Sequence, residues 1–113
     1  MPQPKDERIK EIEPATIKAW LEKGEAVLVD VREAGEHAEA CIPGAVLHPL
    51  SNFNPFHLPS GKEKTLVLHC AAGSRSLQAA ELCLAAGFEE ITHVKGGIKA
   101  WQEAGFDVEK GKA

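Results

Sequence analysis

Leu66-Val67-Leu68-His69-Cys70-Ala71-Ala72-Gly73-Ser74-Arg75-Ser76 is an apolar run that ends in a cysteine, followed by small residues and then by a helix-forming segment. The run reads as a buried strand, and the helix is expected to begin at Ser74. No large side chain stands between Cys70 and Arg75, so the backbone amides of 71–75 are free to turn toward the sulfur. Amides gathered at a helix N-terminus bind anions. The same partial positive charge lowers the pKa of a thiol placed there, and the thiolate is the nucleophilic form. Cys70 therefore reads as an activated nucleophile in an anion cradle, with Arg75 adding a full charge. The alternative is a packed thiol, since a free cysteine is often a small buried hydrophobe. The Gly, Ser and Arg within five residues favour the nucleophile.

Outward from this stretch the chain alternates strands and helices. Ile9–Ile12 is a weak edge-strand candidate. Pro14 suits the first turn of a helix. Ile17, Trp20 and Leu21 share its apolar face, and Gly24 stops it. Ala26–Asp30 is apolar up to its last residue, as in a parallel strand covered on both sides. A short helix is expected over 33–40, a turn at Ile42-Pro43-Gly44, and a strand over Ala45–His48. Residues 49–64 carry Pro49, Pro55, Pro59 and Gly61 and read as a long loop. Its Phe53, Phe56, His57 and Leu58 either rim a pocket or cover the sheet edge. After the strand Thr65–His69 come a helix over Ser74–Ala86, with Ala79, Ala80, Cys83 and Leu84 on one face, a strand over Ile91–Val94, and a helix over Ile98–Ala104. Such alternation implies right-handed crossovers and a mostly parallel five-stranded sheet with helices on both faces. One domain over 9–108 is expected, with tails at 1–8 and 109–113. Ligands of such sheets bind beyond the carboxyl ends of the strands. Topology thus brings Asp30, Arg32, Cys70 and Arg75 to one edge.

A net charge of −4 argues against general binding to nucleic acid or a membrane surface. Three cysteines without clustering make no disulfide framework. The polar start, Met1 to Arg8, has no apolar segment of signal type, and a protein of the reducing cytoplasm is expected. His37 and Cys41 stand at i, i+4, but one such pair does not make a metal site, and no metal or other cofactor is expected.

Four motifs together resemble the rhodanese family: Asp30-Val31-Arg32-Glu33, Ile42-Pro43-Gly44-Ala45, Cys70-Ala-Ala-Gly-Ser-Arg75, and Lys95-Gly96-Gly97-Ile98-Lys99-Ala100-Trp101. They run in family order across about Ile9 to Val108. Ala40-Cys41 departs from the Gly-His that commonly precedes Ile-Pro-Gly-Ala. The resemblance implies a single-domain thiosulfate sulfurtransferase. Cys70 would take a sulfane sulfur from thiosulfate or a similar donor as a persulfide, and cyanide or a thiol would remove it. Ala71, Ala72, Gly73 and Ser74 would form the cradle with Arg75, acting as an oxyanion hole does. Arg75 would either bind the donor's oxygens or make a salt bridge behind the loop. Arg32 and Lys95 are further donor-binding candidates, and Asp30 would support the loop.

Two rivals remain at this point. Relatives with phosphatase or arsenate reductase activity carry one more residue between Cys and Arg than the four present here. A relay module handing its sulfur to an acceptor protein would keep the same cysteine. Cys41 is expected at the amino ends of the strands, and Cys83 on the order of 13 Å along the helix from Ser74. Neither would then be a resolving thiol for Cys70.

Overall fold

Each apolar run read as a strand forms one in the computed structural model, which describes residues 6–59 and 63–111. The strands are β1 (Ile9–Ile12), β2 (Ala26–Asp30), β3 (Val46–Leu47), β4 (Thr65–His69) and β5 (Ile91–Val94). The helices are α1 (Pro14–Glu22), α2 (Ala34–Glu39), α3 (Ser74–Ala85) and α4 (Gly97–Glu103). The five strands make one sheet in the order β1-β5-β4-β2-β3, and every pairing is parallel. The expectation of a mostly parallel sheet is therefore met; a bridge between Cys41 and Glu109, outside the strands, is antiparallel.

The central position of β2 and β4 follows from their composition. Parallel strands covered on both faces need apolar side chains pointing both ways. In β4 and just after it, Leu68 and Cys70 point to one face and Val67 to the other; in and after β2, Val29 and Val31 oppose Leu28 in the same way. The first face packs on Ala79, Ala80 and Cys83 of α3. The second packs on Ile17 of α1 and on Ile98 and Trp101 of α4. Helices thus lie on both faces. Trp101 is buried, and its indole N–H donates to the Asp107 carbonyl at 2.8 Å, which satisfies its polar atom.

The 49–64 segment winds into two 3-10 turns, Leu50–Asn52 and Pro55–His57, before residues 60–62, which lie outside the described part. Leu50, Phe53 and Leu58 cover the α3-side core. Phe56 is 77% exposed and, with Leu58, Leu66 and Phe88, borders a surface depression at the opposite end of β4 from Cys70. The described part of the loop therefore covers the α3-side core and also borders this depression.

Of the expected N-terminal tail, residues 1–5 lie outside the described part, while the Arg8 carbonyl accepts from Ile91 at 2.9 Å. The expected C-terminal tail is corrected at its start. Cys41 and Glu109 exchange backbone hydrogen bonds of 2.7 and 2.9 Å, and the Gly111 N–H donates to the Ala38 carbonyl at 3.1 Å. A side chain at 111 would run into the His37 carbonyl, so a glycine lets the chain lie against α2. Residues 112 and 113 lie outside the described part.

Candidate active site

Cys70 follows the last residue of β4, and α3 begins four residues later. Helix α3 has no side-chain cap at its N-terminus. The sulfur of Cys70 occupies that role: the Gly73 N–H donates to Sγ at 3.0 Å, and the Ser76 hydroxyl lies 3.5 Å from it. Gly73 reaches this shape with φ of +114°, a region that side chains with a Cβ rarely enter.

The far side of the loop explains why its amides face inward. The Cys70 carbonyl accepts from Ile98 at 2.9 Å and the Ala71 carbonyl accepts from Lys99 at 3.0 Å. Two amides of the first turn of α4, which have no partner within their own helix, are satisfied in this way. With these carbonyls fixed toward α4, the peptide planes turn their N–H groups toward the sulfur. The approach is close: at Gly97, where φ is +63°, an added Cβ would overlap the Cys70 and Ala71 carbonyl oxygens. The Gly-Gly pair seen in the sequence is thus the seat of the loop, and α4 begins at Gly97, one residue before the expected Ile98.

Burial is the largest single influence on the Cys70 thiol and opposes ionisation. The Ser76 hydroxyl and the amides of Ser76, Gly73 and Ala72 outweigh it together, and the pKa lies below the ordinary thiol value. The other two cysteines behave oppositely. Burial pushes Cys83 up to about 11, and burial with the charges of Glu109 and Asp30 raises Cys41. Cys41 is not at the amino ends of the strands as expected. It follows Ala40, whose carbonyl holds Arg32 at 2.6 Å, near the carboxyl end of β2. All three cysteines are free.

Arg75, Arg32 and Lys95 each have a partner within the fold. Arg75 closes on Glu36 of α2 with hydrogen bonds of 2.7 and 2.9 Å, the salt bridge that was one of its two expected roles. Arg32, a donor-binding candidate in the sequence, is engaged inside the fold. It is buried, and its guanidinium is held by Asp30, at 2.9 and 3.0 Å, and by the Ala40 carbonyl. Lys95 turns its ammonium to Glu13, at 3.4 Å, at the start of α1. Ala72 and Ser74 are exposed beside the cysteine, and Ala71 is half-buried.

Asp30 acts on the loop at one remove. Its carboxylate accepts from the Arg32 backbone N–H at 2.9 Å and meets His37 Nδ1 at 2.8 Å. His37 belongs to α2, as does Glu36, the partner of Arg75. Asp30 therefore fixes α2, and α2 fixes Arg75. Burial works against the Asp30 charge, but Arg32, His69 and His37 together keep its carboxyl below the ordinary range. His69 is fully buried on the same face, and burial lowers its pKa to about 4, so the ring is neutral near pH 7. Its Nδ1 donates to the Cys70 carbonyl at 3.2 Å, and its Nε2 lies 3.9 Å from Asp30 Oδ1. Adjacent residues face opposite sides of a sheet, so His69 forms no dyad with the Cys70 thiol.

The roles of Ser76, beside the sulfur, and of His93, behind Ser76, escaped the sequence. Ser76 accepts or donates a 2.8 Å hydrogen bond with His93 Nδ1 of β5, and it donates to the Gly73 carbonyl at 3.2 Å. Ser76 shares the buried face of α3 with Ala79, Ala80 and Cys83 at i, i+3, i+4 and i+7, which is the signal that marks it. His93 needs the pairing of β4 with β5, which one sequence does not disclose.

The model of the rhodanese-like domain matches residues 13–104, and the chain belongs to that family. It is 40% identical over 101 residues to the uncharacterized protein slr1261 of Synechocystis sp., covering 89% of this chain and 56% of that one. It is 30% identical over 102 residues to a sulfurtransferase of Allochromatium vinosum, covering 88% of this chain and 94% of the relative. The chain thus spans about half the length of the first relative and nearly all of the second. A thiosulfate sulfurtransferase of Pseudomonas aeruginosa superposes with a TM-score of 0.78 at 26% identity, over 99% of this chain and 21% of that one.

Proposed function

We propose that the protein is a sulfurtransferase that carries sulfane sulfur on Cys70, with thiosulfate or a similar donor and with cyanide or a thiol as acceptor. The observation that carries this is the Cys70 sulfur held at the N-terminus of α3 by the Gly73 amide and the Ser76 hydroxyl. In the first half-reaction the thiolate attacks the outer sulfur of the donor. A new S–S bond forms, the old one breaks, and sulfite leaves with the bonding pair. In the second, the acceptor attacks the terminal persulfide sulfur and Cys70 leaves as the thiolate. Each step exchanges one anion for another at the same place, where fixed amide dipoles stabilise it. No proton moves during transfer itself. The family and the names of the two sulfurtransferases above support the same chemistry.

The position of Arg75 favours sulfur over phosphate. A tetrahedral oxyanion is best held by a guanidinium presenting two N–H groups to its oxygens. Here both groups are engaged by Glu36. The cradle is left with amides and one hydroxyl, suited to a single sulfur atom. Steady-state assays of sulfite and thiocyanate formation test the proposal. Ping-pong kinetics are expected, with loss of both products in Cys70→Ser. Undiminished turnover in that variant would refute it.

A further inference from the structure

Three side chains from three elements line up behind the sulfur. Cys70 Sγ lies 3.5 Å from Ser76 Oγ, and Ser76 Oγ lies 2.8 Å from His93 Nδ1. All three face the α3 side of the sheet, and each is almost wholly buried. On the far side of the ring, His93 Nε2 lies 3.7 Å from Glu11 Oε2, since Glu11 is the register partner of His93 in β1. Among the described residues, the ionisable groups that meet the ring directly or through Ser76 are thus Cys70, just after β4, and Glu11 of β1.

A serine hydroxyl has one proton to give and lone pairs that accept. If His93 Nδ1 is bare, the hydroxyl donates to it and receives the S–H of Cys70. If Nδ1 carries a proton, the ring donates to the hydroxyl, whose own proton then has two acceptors, the Gly73 carbonyl at 3.2 Å and a thiolate, of which the charged one is the stronger. The two arrangements differ by one proton moved from sulfur to the ring, with the hydroxyl passing it on. No water is needed, and the geometry of both is the one observed. Burial is the larger influence on the ring and holds its pKa below the ordinary value, while Glu11, facing the second nitrogen, works the other way and favours the ring that holds both protons.

We propose that His93, acting through Ser76, is a positioning residue that takes the proton of the resting Cys70 thiol and holds the hydroxyl on the thiolate. The step is balanced: the S–H bond breaks, an N–H bond forms at Nδ1, and neutral thiol plus neutral imidazole become thiolate plus imidazolium. It rests on Cys70 being the sulfur carrier, and it precedes the sulfur transfer described above. Because the two groups share a proton, their titrations belong to the pair, and each must shift when the other is removed.

The test therefore reads both ends of the relay and needs no sulfur donor. The rate of Cys70 alkylation by iodoacetamide is followed against pH in the natural protein, in Ser76→Ala, and in His93→Asn. Asparagine keeps a polar atom near the Nδ1 position but takes no proton. The ring of His93 is followed by 15N NMR in the natural protein and in Cys70→Ala. The alkylation midpoint is expected to rise by at least half a pH unit in both relay variants, and the ring midpoint to fall by a similar amount in Cys70→Ala. An unmoved alkylation midpoint in His93→Asn, or an unmoved ring midpoint in Cys70→Ala, overturns the proposal. Should His93→Asn fail to fold, Ser76→Ala and the ring titration decide it on the same criteria. Persulfide formation on Cys70, read by mass, stands or falls separately, so failure of the relay is distinct from failure of the sulfurtransferase assignment.

Discussion

Arg75 of the cysteine loop and Glu36 of α2, 39 positions apart in the chain, meet in a two-pronged ion pair at 2.7 and 2.9 Å. The pair fastens the first turn of α3 to α2. It also holds the Glu36 carboxyl at about 2, against an ordinary 4.5, chiefly through the Arg75 hydrogen bonds and in spite of some burial. A carboxyl whose folded pKa is depressed adds stability above its unfolded pKa, and that contribution disappears as pH falls toward the folded value. Arg75→Ala is expected to lower stability at pH 7 by about 0.5–1 kcal/mol, since both partners are about a third exposed (31% and 38%). It should also flatten the acid-induced loss of stability between about pH 5 and 2. Urea denaturation over that range checks both. An unchanged pH profile would mean that the pair does not stabilise the fold in solution.

Asp30 is the hub behind that pair. It is completely buried, with Arg32 and His37 on its oxygens. Asp30→Ala leaves the buried Arg32 guanidinium with only the Ala40 carbonyl among these partners. Removing one member of a buried ion pair costs about 3–5 kcal/mol. Urea denaturation is expected to show a loss of that order, larger than for Arg75→Ala. A loss below about 1 kcal/mol would place the support of the loop elsewhere.

Gly97→Ala tests the seat of the loop. The new methyl group would collide with the Cys70 and Ala71 carbonyls at a positive φ. Backbone strain of this kind costs on the order of 1–3 kcal/mol. The loop must then shift, so a steep fall in sulfur transfer is expected along with the loss of stability. A variant with normal turnover would show that α4 does not position the cradle.

The three thiols are separated by their surroundings. Cys70 lies below the ordinary thiol range, whereas Cys83 is held at about 11 and Cys41 is raised. Brief treatment with iodoacetamide at pH 7 is expected to add one carbamidomethyl group, on Cys70, and Cys41→Ser/Cys83→Ser is expected to keep most of the sulfur transfer. Peptide mapping reads the first and turnover the second. A disulfide joining Cys70 to either other cysteine during turnover would contradict both.

Much of this was legible in the residues because local patterns agree with the fold. The runs Ala26–Asp30 and Thr65–His69 are apolar enough to be central strands, and they are. The small residues from Ala71 to Ser74 left the amides of the cradle free. The partners of the charges were not legible. Arg32 and Lys95 have the right charge for a donor site, but tertiary neighbours decide where a charge points. Asp30 and the Ala40 carbonyl hold the first, and Glu13 the second. His93 stayed hidden because its contact with Ser76 depends on β5 lying beside β4, a pairing fixed only when all five strands assemble. The C-terminal end looked like a tail because its hold on α2 is made by backbone groups, through Glu109 and Gly111, which leave no side-chain signature.

The central claim is that Cys70 carries sulfur. Its most direct test is the intact mass of the protein after treatment with thiosulfate and removal of excess reagent. The natural protein is expected to gain one sulfur atom, mapped to Cys70 and lost on adding cyanide, while Cys70→Ser gains none. A natural protein of unchanged mass, or a sulfur atom that Cys70→Ser acquires equally, would contradict it.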